Sequence, residues 1–284
     1  MDTPFRNLQP FEPYWGKVTS TIDWCEENYT VLFWIAEFFN TVTNAFFVIL
    51  SLVGIYVNIR NKLGFRFTLS NVGLLLIGIG SWWFHMTLQY EFQLLDELPM
   101  IYGALILVYN IFEMNTRPRY GLFLPALLAL YGIVVTAVYI KIRNPVFHQV
   151  AYAILVGILV VRSVALLRRI EDKKRKGELS FLLQMAVMTF GGGFVLWNID
   201  NQFCNGLRNI RWRYLPFPFS GLAELHGWWH ILTCLGTHFY LIANQYLYCI
   251  YIGRGDEFDL KYYFGLPFVI RSTQVEKKNK KKRL

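Results

Sequence analysis

Apolar residues run along this chain in seven stretches of roughly membrane length, separated by short polar breaks. The stretches are Val31–Ile59, Thr68–Tyr90, Asp96–Phe112, Tyr120–Ile140, Phe147–Leu167, Ser180–Asn201 and Ala223–Tyr251. About 20 predominantly apolar residues cross the hydrocarbon core of a bilayer as a helix, because a helix satisfies its own backbone donors and acceptors where no water can. The pattern predicts an all-α integral membrane protein, a seven-transmembrane helix bundle. Residues 1–30 form an N-terminal segment, residues 31–252 the bundle, and residues 253–284 a basic tail. The breaks are too short for a second domain. The first and last stretches are long enough to tilt or to extend past the membrane. Met1–Tyr29 is polar, acidic and aromatic with no apolar centre. It therefore does not read as a cleavable signal peptide, and the first span is expected to serve as its own insertion signal.

Composition agrees, since 55% hydrophobic and 18% aromatic content over 284 residues is too apolar for a soluble globular chain. Charge then orients the bundle. Of the 28 Lys and Arg residues, 21 fall in the tail and around the loops after spans one, three and five, against 7 on the opposite side. The positive-inside rule puts the tail in the cytosol and the N-terminus in the lumen or outside the cell. The net charge of +9 is thus a topology signal and implies no nucleic-acid partner. The chain ends K-K-R-L, with Lys281 and Lys282 in the positions of a dilysine retrieval signal. That signal is read from the cytosol and points to the endoplasmic reticulum membrane, with Golgi cycling. A basic anchor for anionic lipid is the alternative.

An ionisable side chain inside a span is costly and marks a functional site by default. His85 closes the second span, while His226 and His230 open the seventh in H-G-W-W-H-I-L. Two histidines four residues apart leave a helix on one face. With His85 they form a three-ligand set for zinc with one open coordination position. The topology places His85, Asp96, His226 and His230 in the same leaflet, although they come from three remote parts of the chain. Zinc lowers the pKa of a bound water to about 7, and a carboxylate beside that water can take and return its proton. Asp96, at the predicted start of span three, is the candidate, whether or not it also caps that helix. Ser81 lies one turn before His85 and offers a hydroxyl to a developing oxyanion. Such a set hydrolyses a carbonyl derivative, and in a bilayer the substrate is a lipid. His148, His238 and Asp200 read as structural.

Cys25 and Cys204 fall on the lumenal side of this topology, where they either form a disulfide or remain free. Cys234 and Cys249 lie within span seven and read as buried thiols. Asp23, Glu26 and Asn28 alternate closely enough to fold oxygen ligands around calcium, but the spacing is not that of an EF-hand, and helix capping or a solvated acidic loop is the stronger reading of these residues alone. Glu37, further into the chain, needs a partner for its charge.

The stretches S-T-I-D-W-C-E-E-N-Y, S-W-W-F-H-M-T-L, L-L-D-E-L-P-M, W-N-I-D-N and H-G-W-W-H-I-L-T occur in one order from about Tyr14 to Tyr251. Together they resemble the alkaline ceramidase family, and its phytoceramidase-type members in particular. The resemblance implies hydrolysis of the ceramide or phytoceramide amide to a sphingoid base and a free fatty acid. It implies zinc on His85, His226 and His230, with Asp96 and Ser81 as catalytic residues and Tyr152 near the site. It further implies calcium on Asp23, the Trp24 carbonyl, Glu26, Asn28 and Glu37, and it supports a Cys25–Cys204 bridge. The linker Arg169–Leu179 and the chain beyond Ile252 carry no clear part of the pattern. The wider superfamily shares the metal set, so a seven-helix zinc-containing lipid or hormone receptor is the rival expectation. The N-terminal segment is short for a receptor.

Overall fold

The computed structural model describes residues 12–272; the K-K-R-L ending lies outside them. An N-terminal segment without regular helix leads into a short helix α1 (Phe38–Thr43) and then α2 (Ala45–Asn61). There follow α3 (Phe65–Thr87), α4 (Tyr90–Phe112), α5 (Phe123–Ile142), α6 (Pro145–Leu167) and α7 (Lys173–Gln202). A shorter helix α8 (Cys204–Tyr214) and one 3-10 turn precede the long α9 (Leu225–Tyr251). The described chain ends in an antiparallel hairpin of β1 (Phe258–Tyr263) and β2 (Leu266–Arg271).

Among the described residues, six segments are long and apolar enough to cross a membrane: Phe38–Asn61, which joins α1 to α2, and helices α3 to α7. The seventh, α9, spans about 40 Å at 1.5 Å per residue but carries His226, His230, His238, Asn244 and Gln245, all buried. It lies at the centre of the bundle and buries residues around most of its circumference. Large apolar side chains on the outer helices, such as Ile59, Phe123, Ile133 and Val161, are exposed. That inversion suits a bundle solvated by lipid.

Local chemistry sets the helix ends. Asn144 caps α6 by accepting the Val146 amide at 2.9 Å, with Pro145 in the first turn, where its missing N–H costs nothing. Asp172 caps α7 from the Arg175 amide at 3.0 Å. Only Leu88, in the left-handed region, and the extended Gln89 separate α3 from α4.

That tight turn corrects one expectation. Asp96 does not start its helix, because α4 begins at Tyr90 and Asp96 sits well inside it. The polar residues Glu91, Gln93, Asp96 and Glu97 make its first turns resemble a loop, yet Gln93 and Glu97 are buried against neighbouring elements. The other boundaries moved by a few residues at most ends and by about seven at the starts of the first and sixth spans. Beyond Ile252, where no element was expected, Phe268 and Val269 of β2 are buried. His238 bonds the Pro267 carbonyl at 2.9 Å, and the Arg271 amide donates to the Asn61 side-chain oxygen at 2.8 Å. His238 and His148, the latter 2.8 Å from the Glu97 carbonyl oxygen, therefore have the structural roles expected of them.

Close approach of α3 and α4 depends on Gly80. A Cβ there would lie 2.0 Å from the Leu95 carbonyl oxygen and 3.1 Å from the Asp96 nitrogen. Pro99 has no N–H to give that carbonyl, so it is left out of the helical ladder and rests against α3. One glycine and one proline thus seat Asp96 beside the neighbour of Gly80, which is Ser81.

Candidate functional site

The last turn of α3 and the first two turns of α9 bring His85, His226 and His230 together. One ring nitrogen from each lies within 4.8 Å of the others, and all three residues are buried. Ring centroids are 4.6 to 5.0 Å apart. The Nδ1 of His85 meets Glu37 Oε2 at 2.5 Å, and the Nδ1 of His230 meets Thr43 Oγ1 at 3.0 Å. These partners fix the two rings and leave their Nε2 atoms to face the centre of the cluster. His85 Nε2 and His226 Nδ1 are buried without any hydrogen-bond partner.

A buried, unsatisfied imidazole nitrogen costs about 1–3 kcal/mol, and three rings crowded together compound the cost. Binding a metal such as zinc relieves it, and the donor set suits one. The Glu37–His85 pair has the form of a carboxylate–histidine–metal relay, in which the outer carboxylate orients the ring and raises its basicity. Glu37→Gln keeps the shape and removes the charge. It is expected to weaken metal affinity roughly 10- to 100-fold, measured by competition with a metallochromic chelator. Unchanged affinity would mean that the pair only packs.

Ser81, Asp96 and His230 line one cavity of about 310 Å³. Asp96 faces the Ser81 hydroxyl. Tyr152, on α6, lines the same cavity and stacks on His148. Most of the wall is apolar. On the side between α6 and α7 it is formed by residues such as Val160, Val164 and Val187, which are 42%, 40% and 57% exposed. The cavity therefore opens sideways, toward lipid.

The N-terminal segment lies over the histidine cluster. Trp24 stacks on His226 with centroids 4.0 Å apart, and the Cys25–Cys204 disulfide ties the segment to α8. Within it, the Asn28 amide donates to Asp23 at 3.4 Å, the Trp24 amide donates to Glu37 Oε1 at 3.4 Å, and Asn28 Oδ1 is buried without a partner. Glu26 is turned toward α1, where its two oxygens accept the Phe39 and Asn40 amides at 2.7 and 2.8 Å. Burial, together with the neighbouring Glu37 charge, holds the Glu26 carboxyl well above the usual carboxylate range.

Arg211 had no sequence signal to separate it from Arg208 and Arg213, yet it alone of the three is buried. It donates to the Cys25 carbonyl at 2.7 Å and pairs with Glu27 at 3.1 Å and Glu224 at 3.0 Å. The N-terminal segment and the start of α9 are thereby clamped together. Trp24 and Thr43 are likewise visible as neighbours of the histidines only in the fold.

Comparison with known proteins follows this geometry. The profile of the family described as Ceramidase matches residues 16–270, a range that takes in both the Arg169–Leu179 linker and the hairpin. The chain is 42% identical to alkaline ceramidase 3 of Mus musculus, covering 92% of this chain and 96% of that protein. It is 36% identical to alkaline ceramidase YPC1 of Saccharomyces cerevisiae over 82% and 78% of the two chains. With the alkaline ceramidase of Arabidopsis thaliana it shares 30% identity over 90% and 94%.

Proposed function

The chain belongs to the alkaline ceramidase family, and from that membership and the site geometry we propose how it cleaves ceramide and phytoceramide to a sphingoid base and a free fatty acid. It is an alkaline ceramidase, a hydrolase of sphingolipid metabolism. The observation that carries the mechanism is a buried, unsatisfied histidine cluster at the end of an apolar cavity open toward lipid.

His85, His226 and His230 would hold zinc, which when bound would supply Lewis acidity and a water acidified to a pKa of about 7. Asp96 takes a proton from the attacking water as oxygen bonds to the amide carbon. It returns that proton to the nitrogen as the C–N bond breaks, so that the base leaves as an amine. Ser81 donates to the carbonyl oxygen while negative charge builds there. Tyr152 borders the same space from α6 and positions the scissile amide. The substrate is already dissolved in the bilayer and enters between α6 and α7, where the cavity meets lipid. Hydrolysis, and not receptor signalling, is what a carboxylate and a hydroxyl beside the metal ligands accomplish.

Detergent-purified protein incubated with ceramide and phytoceramide is expected to release sphingoid base and fatty acid in equal amounts, read by mass spectrometry. No release over neutral to alkaline pH with zinc and calcium supplied would overturn the reading in favour of the lipid receptor.

Calcium would be held by Asp23, the Trp24 carbonyl, Glu26, Asn28 and Glu37. Support comes from the unpartnered Asn28 Oδ1 and from the carboxylates of Asp23 and Asp200 gathered around Glu37. The raised Glu26 pKa gives a sign. Below its folded pKa the buried carboxyl is neutral; above it, the fold must hold a charge that the unfolded chain holds freely. Without a divalent cation, stability is expected to fall as pH rises out of the ordinary carboxylate range. Calcium should restore it, and Asp23→Ala should abolish the restoration in thermal melts. A pH profile indifferent to calcium in wild type would remove the site. The N-terminus faces the lumen, which the distribution of basic residues supports, and the protein resides in the endoplasmic reticulum membrane with Golgi cycling, which the K-K-R-L sequence supports.

A further inference from the structure

The cavity does not end at the catalytic residues. It runs down the bundle from His230, Ser81 and Asp96 to Ser70, Ser163 and Tyr240. His230 and Tyr240 are ten residues apart on α9, about 15 Å at the helical rise of 1.5 Å per residue. The walls between are apolar, with Leu74, Ile77, Ala104, Leu107, Val156 and Leu159 among them. The far end is polar. Ser163 Oγ and the Tyr240 hydroxyl lie 3.3 Å apart, and Asn110 donates to Ser70 Oγ at 2.8 Å. Beyond that end lies a separate void of about 10 Å³, also bordered by Ser163 and Tyr240, together with Asn244 and Leu247. The Ser163–Tyr240 pair is therefore a partition, with space on both sides of it.

We propose that Tyr240, braced by Ser163, is the stop against which one aliphatic chain of the substrate ends, so that this pair sets the upper chain-length limit of the hydrolase. This inference rests on the ceramidase reading. With C–C bonds of about 1.5 Å, an extended chain advances roughly 1.3 Å per carbon, so the cavity takes about 12 carbons past the scissile amide. A chain arriving from a bilayer gains little by exchanging lipid for apolar protein, since neither environment is aqueous. Length is then not rewarded carbon by carbon. A chain that reaches the stop must bend out between α6 and α7 or push against a hydrogen-bonded pair, so the activity profile has a cutoff and not a slope.

The test compares kcat/KM over two ladders of ceramides, one varied in the acyl chain and one in the sphingoid base. Wild type should show a cutoff on one ladder. Tyr240→Ala should move it to longer chains by about four carbons, roughly the reach of the lost side chain. Ser163→Leu should move the same cutoff to shorter chains. Tyr240→Phe keeps the bulk and should keep the wild-type cutoff. If Tyr240→Ala fails to fold, judged by its melt and zinc content, the Ser163→Leu shift decides alone. Profiles identical to wild type in folded variants overturn the stop and leave the ceramidase reading intact. No hydrolysis by wild type on either ladder would overturn that reading instead.

Discussion

His226→Ala is expected to lose zinc and turnover together. Its imidazole is one of three ligands, and two remaining histidines fall short of the three protein ligands that catalytic zinc takes. The metal's contribution to stabilising transition-state charge is several kcal/mol, and 4 kcal/mol corresponds to about a 10³-fold loss in rate. Residual activity should therefore fall at least that far. Zinc measured by plasma mass spectrometry should drop well below one per chain. The loss should not come from unfolding, because removing His226 also relieves a buried nitrogen that lacks a partner. Trp24, which stacks on the ring, loses one contact but stays anchored through the Cys25–Cys204 bridge and the Arg211 clamp. A folded variant with stoichiometric zinc and normal turnover would sink the assignment of these histidines.

The metal set was legible in the sequence because its signal is periodic. Two histidines at helical spacing share a face, and the alternation of spans fixes which residues share a leaflet. Asp96 was expected on the side of the histidines, and it does line one cavity with His230, but it lies at a different point of its helix from the one expected. Hydrophobic patterning reads polar first turns as loop, whereas here Gln93 and Glu97 are satisfied by the N-terminal segment and by Tyr139 of α5. Glu37 was read as a calcium ligand; what the fold shows is its bond to His85. Such a pairing, across 48 residues, has no local signature. The same holds for Trp24 on His226 and for Arg211, whose burial depends on where α8 lands. The hairpin escaped notice because its strands are short and amphipathic and follow a charged turn.

The second large effect belongs to Asp96, and it separates chemistry from metal binding. Asp96→Asn preserves the volume of the side chain and so leaves undisturbed the Gly80–Leu95 approach that seats residue 96 against Ser81. Asparagine cannot accept a proton from water near neutral pH, so the proton transfers at both ends of the reaction lose their carrier. General acid–base assistance of this kind contributes about 10²- to 10⁴-fold, and kcat should fall by that factor. The zinc content should stay at the wild-type value, because none of the three histidines touches this change directly. Gly80→Ala should reproduce part of the loss by another route. Its Cβ would meet a backbone carbonyl that cannot rotate away as a side chain would, so α3 and α4 must separate and Asp96 must leave its position. A displacement of even 1 Å at a reacting group can cost about 10² in rate. The discriminating comparison is between the two variants. Asp96→Asn should lower kcat with an unchanged melting temperature, whereas Gly80→Ala should lower both. If Asp96→Asn instead retains most of the activity, the proton carrier is a different residue, and the carboxylate serves only to hold Ser81.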